Sequence, residues 1–195
     1  MISLDLEEQL RFYGAYHHNS VNVAIHIVCV PLILMTSLLL ASNTPNVSLP
    51  EWLPSSFQSF PLNLGTVSAF LYSSLYLLME PVAGSLLFPL IIGGTLYSNH
   101  LLSEYGSTAN QWALGVFVTS WILQFIGHGK FEGRAPALLD NLVQALFLAP
   151  FFVWMEILFM LGYRPELKKR LDKAVEAEIR KWQTEVSGKA NGKAK

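Results

Sequence analysis

Five apolar runs, each close to the length of a membrane-spanning helix, constrain this chain more than any other feature of its sequence. They cover residues 21–41, 63–80, 83–102, 110–127 and 141–162. About 18 or more apolar residues in succession are enough for a helix to cross the hydrocarbon core of a bilayer. Glu156 and the boundary residue Glu80 are the only ionised side chains among them. The pattern predicts an all-α, polytopic membrane bundle of about four to five transmembrane or re-entrant helices.

The composition narrows the function classes. Of 195 residues, 52% are hydrophobic and only 14% are charged, with a formal net charge of -1 and no basic patch before the tail, so we expect no nucleic-acid partner. The single Cys29 offers neither a disulfide framework nor a thiolate zinc site. The sequence also lacks a nucleophile elbow, a phosphate-binding glycine loop and a dinucleotide fingerprint.

The two ends of the chain differ from its apolar middle. Residues 4–12 alternate leucines with charges and predict a short amphipathic helix at the membrane interface. We expect residues 1–165 to form one membrane-embedded catalytic domain and residues 166–195 a charged cytosolic tail, a soluble helix with a disordered end. The positive-inside rule places this tail and the Lys130 to Arg134 segment on the cytosolic side, and the loop 42–62, which has no Lys or Arg, on the other. Both flanks of 141–162 are then cytosolic, so we expect a re-entrant segment bent at Pro150, after four full spans.

Polar residues gather where the apolar runs end. On one unbroken helix His17 and His26 would lie on opposite faces, so we predict a turn at Asn19-Ser20 that lets them approach; Asn22 and His26 share a face in any case. An ordinary structural reading of these histidines, as interfacial or hydrogen-bonded residues, is about equally compatible with the spacing. His100 and Glu104 share a helical face near the end of the third run, and ionisable residues at such a depth suggest a site.

The stretch Trp121 to Asn141 places a polar cluster directly after an apolar run. His128 lies between two glycines, and Glu132 is the candidate to orient it. Arg134 could bind a fatty carboxylate with two hydrogen bonds. Carboxylates near such a site more often orient a ligating histidine than bind metal themselves, which makes Asp140 and Glu156 outer-sphere candidates with Glu104. Neutral imidazoles suit iron, zinc, copper or nickel, and the residues alone leave these alternatives open.

Two stretches carry a resemblance to a known family. FYGAYHHNSVNVAIHIVCVP and WILQFIGHGKFEGRAPALLDNLVQALFLAPFFVWMEILF closely resemble the fungal endoplasmic-reticulum 2-hydroxy fatty acid dioxygenases that shorten 2-hydroxypalmitate in phytosphingosine breakdown. The resemblance covers residues 5–170, and the two stretches together are specific. The middle of the chain is similar in hydropathy and in having a histidine near position 100.

The resemblance implies an activity and a ligand set. The expected reaction is Fe2+-dependent α-oxidation, in which a long-chain 2-hydroxy fatty acid and O2 give the fatty acid one carbon shorter. The family's HxxxxNxxxH pattern falls on His17, Asn22 and His26, and its later histidines on His100 and His128; His18 lies outside the pattern. The implied location is the endoplasmic reticulum membrane, with the C-terminus cytosolic and membrane lipid as a further partner.

Other classes remain open on the residues alone. A small polytopic protein with a few buried histidines could be a non-catalytic lipid-binding or transport-associated protein, or a zinc hydrolase. Tolerance of His26→Gln without oxygen uptake would indicate the first class, and activity under strict anaerobiosis the second. The oligomeric state and the preferred acyl chain length are not encoded in any pattern we find.

Overall fold

The computed structural model describes residues 5–48, 51–52, 54, 60–136 and 142–192. Seven α-helices and one π-helical turn account for most of this part of the chain, which contains no β-strand. The helices are α1 Leu6–Gly14, α2 Ser20–Ala41, α3 Leu64–Met79, α4 Pro81–Tyr105, α5 Ser107–Ile126, α6 Leu142–Met160 and α7 Pro165–Gly192, and the π-helical turn is Gly127–Glu132. The all-α prediction is confirmed, and each of the five apolar runs forms one of the helices α2 to α6.

Side-chain caps define where several helices begin. Asn19 accepts hydrogen bonds from the backbone N–H groups of Val21 and Asn22, which confirms the predicted turn before α2. Asn63 caps α3 by accepting from Thr66 N, and Glu80 caps α4 by accepting from Ala83 N. Because only Glu80 separates α3 from α4, these two helices form an antiparallel hairpin.

Hydrogen bonds between helix ends show how α2 to α5 alternate in direction. Asn43, just after α2, exchanges two hydrogen bonds with Asn110 near the start of α5. Asn99 near the end of α4 donates to Ser42 and accepts from Asn63, which caps α3. The end of α2, the start of α3, the end of α4 and the start of α5 therefore share one end of the bundle. The start of α2 and the end of α5 lie at the opposite end, which we call the site end.

By length and composition, α2 and α4 are the helices apolar enough to cross a membrane, and α6 with α7 makes a third candidate only if this pair, bent by 119°, counts as one span. α3 is apolar but has only 16 residues. The apolar helices make this a membrane protein, and the prediction of four full spans stays a prediction.

The run 141–162 differs from our expectation of a re-entrant segment bent at Pro150, because α6 continues past Pro150 as one uninterrupted helix. A proline inside a helix leaves the carbonyl four residues earlier without its usual N–H partner. That carbonyl belongs to Leu146, and it accepts a hydrogen bond from the Tyr72 hydroxyl at 3.3 Å. Tyr76 donates to the next carbonyl, of Phe147, at 2.8 Å. Two tyrosines of α3 thus satisfy the backbone of α6, and the sharp bend comes later, between α6 and α7.

The tail is a helix that packs at the site end of the bundle. Leu167 and Leu171 of α7 belong to the same buried cluster as Leu10 and Tyr13 of α1, and Arg170 donates to Glu7 at 2.9 Å. The helix extends to Gly192, and the disordered end of the tail stays a prediction.

Candidate metal centre

The turn between α1 and α2 brings His17 and His26 to the same place. After α1 the chain turns through Ala15 and Tyr16, where Tyr16 N donates to Tyr13 O, and it re-enters a helix at Ser20. This interruption removes the conflict of faces that one continuous helix would impose. The ring centroids of His17 and His26 are 4.4 Å apart, with the rings meeting edge to face.

His128 reaches the same place from the end of α5. The π-helical turn that carries it is a kind of distortion that is frequent at functional sites. The turn ends at Gly133, whose φ of 69° lies in the left-handed region and whose N–H donates to His128 O. On the other side of His128, a Cβ at Gly127 would stand well inside 3.0 Å of Asn22 Oδ1 on α2. Glycine at position 127 is therefore what lets α5 approach α2 closely enough for the histidines to meet.

The histidine triad, His17, His26 and His128, has the arrangement of a metal site. One ligand nitrogen from each ring lies within 4.8 Å of the others, so small rotations bring all three onto one ion with bonds of about 2.1 Å. The residues are 9%, 3% and 3% exposed. Nδ1 of His17 and of His26 each bond a backbone carbonyl, of Tyr13 and Asn22, at 2.9 Å. With Nδ1 donating, the Nε2 lone pairs are left to bind a metal.

His128 provides the observation that most directly indicates a ligand-binding role. Its Nδ1 is buried and has no hydrogen-bond partner in the part of the chain that the structure describes. A buried nitrogen without a partner is costly, and in a native site it implies an ion or water. Three convergent imidazoles with one such nitrogen fit a metal cofactor.

Burial keeps His17 and His128, which lie outside the apolar runs, in the neutral form that binds metal. It lowers the pKa of His17 well below its ordinary value of 6.5, and the neighbouring His26 ring lowers it further. Burial likewise lowers the pKa of His128 from 6.5, although the nearby Glu132 carboxylate opposes the shift. Both rings are therefore neutral at pH 7, and neutral imidazole is the species that coordinates a metal.

Glu132 connects the π-helical turn that carries His128 to the α1–α2 segment that carries His17 and His26. Its carboxylate accepts hydrogen bonds from the backbone N–H of His18 and Asn19, at 3.1 and 3.2 Å, and from Asn22 Nδ2 at 2.9 Å. It also pairs with His18 Nδ1, and the side chain itself is fully buried. We expected Glu132 to orient His128, but its hydrogen bonds go to the turn before α2 and to Asn22. It therefore positions His17 and His26 relative to the π-helical turn.

Arg134 is engaged within the protein. Its Nη1 donates to Ala15 O at 2.8 Å, and its guanidinium carbon lies 3.6 Å from the ring centroid of Tyr16 and 5.1 Å from that of Trp182. These contacts connect the segment after the π-helical turn to the α1–α2 turn and to α7. The carboxylate-binding role that we predicted for Arg134 would require this guanidinium to leave its present partners.

His100 is a correction to the predicted ligand set. It is exposed near the end of α4, where neighbouring Asn99 bonds Ser42 at the far end of α2. Ser42 lies 16 residues beyond His26, which at 1.5 Å per residue is about 24 Å along α2. His100 and His128 lie at opposite ends because the chain runs the length of the bundle once more between them. α4 ends after the third passage along the bundle, and α5, which leads to His128, ends after the fourth. α4 also continues unbroken through Gly93-Gly94, so the helix break that could have redirected His100 is absent.

The other predicted outer-sphere residues have mixed placements. Asn22 is fully buried between the triad and Glu132, whereas Glu104 is exposed at the end of α4 with His100. Glu156 is half-buried on α6 and interacts electrostatically with Tyr13 and Lys168. Asp140 lies outside the described residues.

An apolar cavity opens from the triad. It follows α2 from His26 past Val30, Leu34 and Leu38 to Ala41, with α3, α5 and α6 supplying the other walls. The described residues that line it include no Asp, Glu, Lys or Arg. The histidine triad thus forms the polar end of a long apolar cavity.

Sequence reasoning missed two residues of this site. His18 was set aside because it lies outside the family pattern, yet it pairs with Glu132. Gln124 lines the cavity one turn before His128, and the only signal for it was its i, i-4 spacing from that histidine.

Comparison with known proteins gives consistent results. The family model described as "2-hydroxy-palmitic acid dioxygenase Mpo1-like" matches residues 3–161. The chain is similar to the 2-hydroxy-palmitic acid dioxygenase MPO1 of Saccharomyces cerevisiae, with 39% identity over 179 residues that cover 91% of this chain and 93% of the yeast protein. No solved structure matches the chain.

Proposed function

The chain belongs to the Mpo1-like family, and from this membership we propose that it is a 2-hydroxy fatty acid dioxygenase whose cofactor is Fe2+ held by His17, His26 and His128. The observation that carries the proposal is the convergence of three buried imidazoles at the head of an apolar cavity. Three nitrogen ligands leave coordination positions open, as redox catalysis requires, whereas structural zinc sites are closed by four protein ligands. Bound Fe2+ would supply the activation of dioxygen and a point of attachment for the carboxylate and hydroxyl of a 2-hydroxy acid.

The proposed substrates are a long-chain 2-hydroxy fatty acid and O2. The carbon bearing the hydroxyl becomes the carboxyl of a fatty acid one carbon shorter, as the bond to the original carboxyl breaks. The original carboxyl leaves as carbon dioxide, and one water is formed. The reaction then balances, because oxidation of the two carbons releases four electrons and these reduce one O2. No second organic substrate is needed.

The cavity supports a long acyl chain as the tail of this substrate. From His26 to Ala41 it follows about 22 Å of α2, at 1.5 Å per residue. An extended alkyl chain advances roughly 1.3 Å per carbon, given a C–C bond of about 1.5 Å. A chain of about 16 carbons therefore matches the length of the cavity, and burying it would contribute about 0.8 kcal/mol per CH2 group.

The protein's own groups organise this chemistry. Tyr13 O and Asn22 O fix the tautomers of His17 and His26 by accepting from Nδ1, and Glu132 fixes the turn that presents them. The apolar walls exclude water from the acyl chain. These groups determine where the substrate's polar head can lie before any bond is broken.

We further propose the endoplasmic reticulum membrane as the location, sphingolipid breakdown as the source of substrate, and a cytosolic site end and C-terminus. The Arg134 segment and the tail, which the positive-inside rule assigns to the cytosol, contact each other through Trp182. In this arrangement residues 1–165 are the catalytic domain, in contact with membrane lipid, and the tail is an accessory segment.

The test compares two histidine variants. Purified wild-type protein should contain iron and consume O2 with 2-hydroxypalmitate but not with palmitate. His128→Ala should lose both the metal and the activity, while the matched His100→Ala should keep both, since His100 lies at the far end of the bundle. Activity in His128→Ala would refute the site. Stoichiometric zinc with anaerobic hydrolysis would instead favour a zinc hydrolase, and a metal-free protein that still binds lipid would favour a non-catalytic role.

A further inference from the structure

Gln124 has a buried side-chain amide whose nitrogen lacks a hydrogen-bond partner in the described part of the chain. The residue is 8% exposed, and its Nε2 is enclosed with no hydrogen-bond partner among the described residues. Leaving a buried amide without a partner costs free energy. Since no described hydrogen bond fixes the amide, a half-turn presents either its oxygen or its nitrogen to a ligand.

The position of Gln124 is at the boundary between the polar head and the apolar length of the cavity. It precedes His128 by four residues on one continuous helical path, so it lies on the same face about 6 Å deeper along α5. On the opposite wall, Val30 follows His26 by four residues and contributes only apolar surface at that depth. On the α5 wall of the cavity, Gln124 is therefore the polar side chain next to the triad on the side away from the site end.

The charge around the cavity restricts how an acidic head group can be recognised. The described lining contains no lysine or arginine, and Arg134 is already bonded to Ala15 O and stacked on Tyr16. A substrate carboxylate that enters here meets neutral donors and whatever metal the triad holds. An amide N–H is a strong donor to a carboxylate oxygen, stronger than to a neutral acceptor.

We propose that the side-chain amide of Gln124 binds the carboxylate of the 2-hydroxy acid and so distinguishes an acid head group from a neutral one. This inference rests on the proposed function and adds the residue that selects the head group. The carboxylate completes the hydrogen bonding of an amide that the fold leaves open, while the acyl chain continues past Val30 toward Ala41.

The test measures binding rather than turnover, with iron-loaded protein kept free of oxygen. The probes are 2-hydroxypalmitate and 1,2-hexadecanediol, which shares the chain and the 2-hydroxyl but lacks the carboxylate; Trp121 in the cavity wall provides a fluorescence signal. Gln124→Met keeps the length of the side chain and should weaken binding of the acid about tenfold or more while changing binding of the diol less than about twofold. Gln124→Glu should weaken binding of the acid further, because two carboxylates would then face each other.

The controls separate this inference from the proposed function. Gln111→Met changes the same residue type at an exposed position of α5 and should bind both probes as the wild type does. Equal weakening of acid and diol by Gln124→Met, or no weakening of either, would overturn the role of Gln124 while wild-type oxygen uptake leaves the dioxygenase assignment intact. Wild-type protein that neither binds nor oxidises 2-hydroxypalmitate would overturn both.

Discussion

Replacing Gly127 by alanine tests whether the close approach of α5 to α2 creates the triad. The added Cβ would overlap Asn22 Oδ1 and would also lie 3.4 Å from Asn22 Cγ and 3.5 Å from Ile25 Cδ1. Asn22 cannot turn aside easily, because it is fully buried and its Nδ2 donates to Glu132 at 2.9 Å. The helices must therefore separate by several tenths of an ångström, which moves His128 away from His26.

The magnitude follows from a matched pair of glycines. Gly129 flanks His128 on the other side, and a Cβ there meets none of the described residues within 4 Å. Both changes gain about 1 kcal/mol or less from replacing a helical glycine by alanine. Only Gly127→Ala adds overpacking, which costs about 1–3 kcal/mol. The unfolding free energies of the two variants should therefore differ by about 1–3 kcal/mol, with Gly127→Ala the less stable.

The assay is thermal unfolding in detergent together with metal content and oxygen uptake. Gly127→Ala should unfold several degrees below Gly129→Ala and should lose at least half of its metal, whereas Gly129→Ala should resemble the wild type. Indistinguishable behaviour of the two variants would show that the α2–α5 contact does not control the triad, and the packing argument would then be wrong.

Three further changes test the groups around the triad. Glu132→Gln should destabilise the protein by about 1–3 kcal/mol and reduce metal content, because an amide cannot accept all the hydrogen bonds that the carboxylate accepts; unchanged metal content with lost activity would instead indicate a role in proton transfer. Arg134→Lys should cost about 0.5–2 kcal/mol and speed hydrogen exchange around Trp182, since lysine cannot both stack and bond the Ala15 carbonyl; unaltered exchange would contradict this. Arg170 lowers the pKa of Glu7 from its ordinary 4.5, so the contribution of this pair is present above that pH and is lost as the pH falls through the lowered value. Proteolysis of α7 should therefore accelerate in the wild type as the pH falls from 4.5 through the lowered pKa of Glu7, and the same pH response in Glu7→Gln would refute the assignment.

Local patterns in the sequence predicted most of the helices and their boundaries. Apolar runs of membrane length became α2 to α6, and Asn19 and Glu80 cap helices where the breaks were expected. These features depend on residues a few positions apart, so periodicity and capping chemistry are sufficient to find them. Pro150 shows the limit of local reasoning, since the helix is not interrupted there and the Leu146 carbonyl, which the proline leaves without its usual donor, accepts from Tyr72, 74 positions before Leu146 in the chain.

The candidate site was only partly accessible to the same reasoning. Spacing and family resemblance identified His17, His26 and His128 as candidate metal ligands, but they also identified His100. Which histidines meet depends on how many times the chain crosses the bundle between them and on which helices pack closely. The assignment of Glu132 to the turn before α2, over 110 positions away, depends on the same packing.

The sequence by itself therefore determined a bundle of apolar helices with histidines near their ends, because helix formation and membrane length are local properties. The tertiary structure alone decided that three histidines converge, that His100 lies at the other end, and that Gln124 Nε2 is buried without a hydrogen-bond partner among the described residues. Those outcomes depend on close contact between α2 and α5, which Gly127 permits and which no short stretch of sequence specifies.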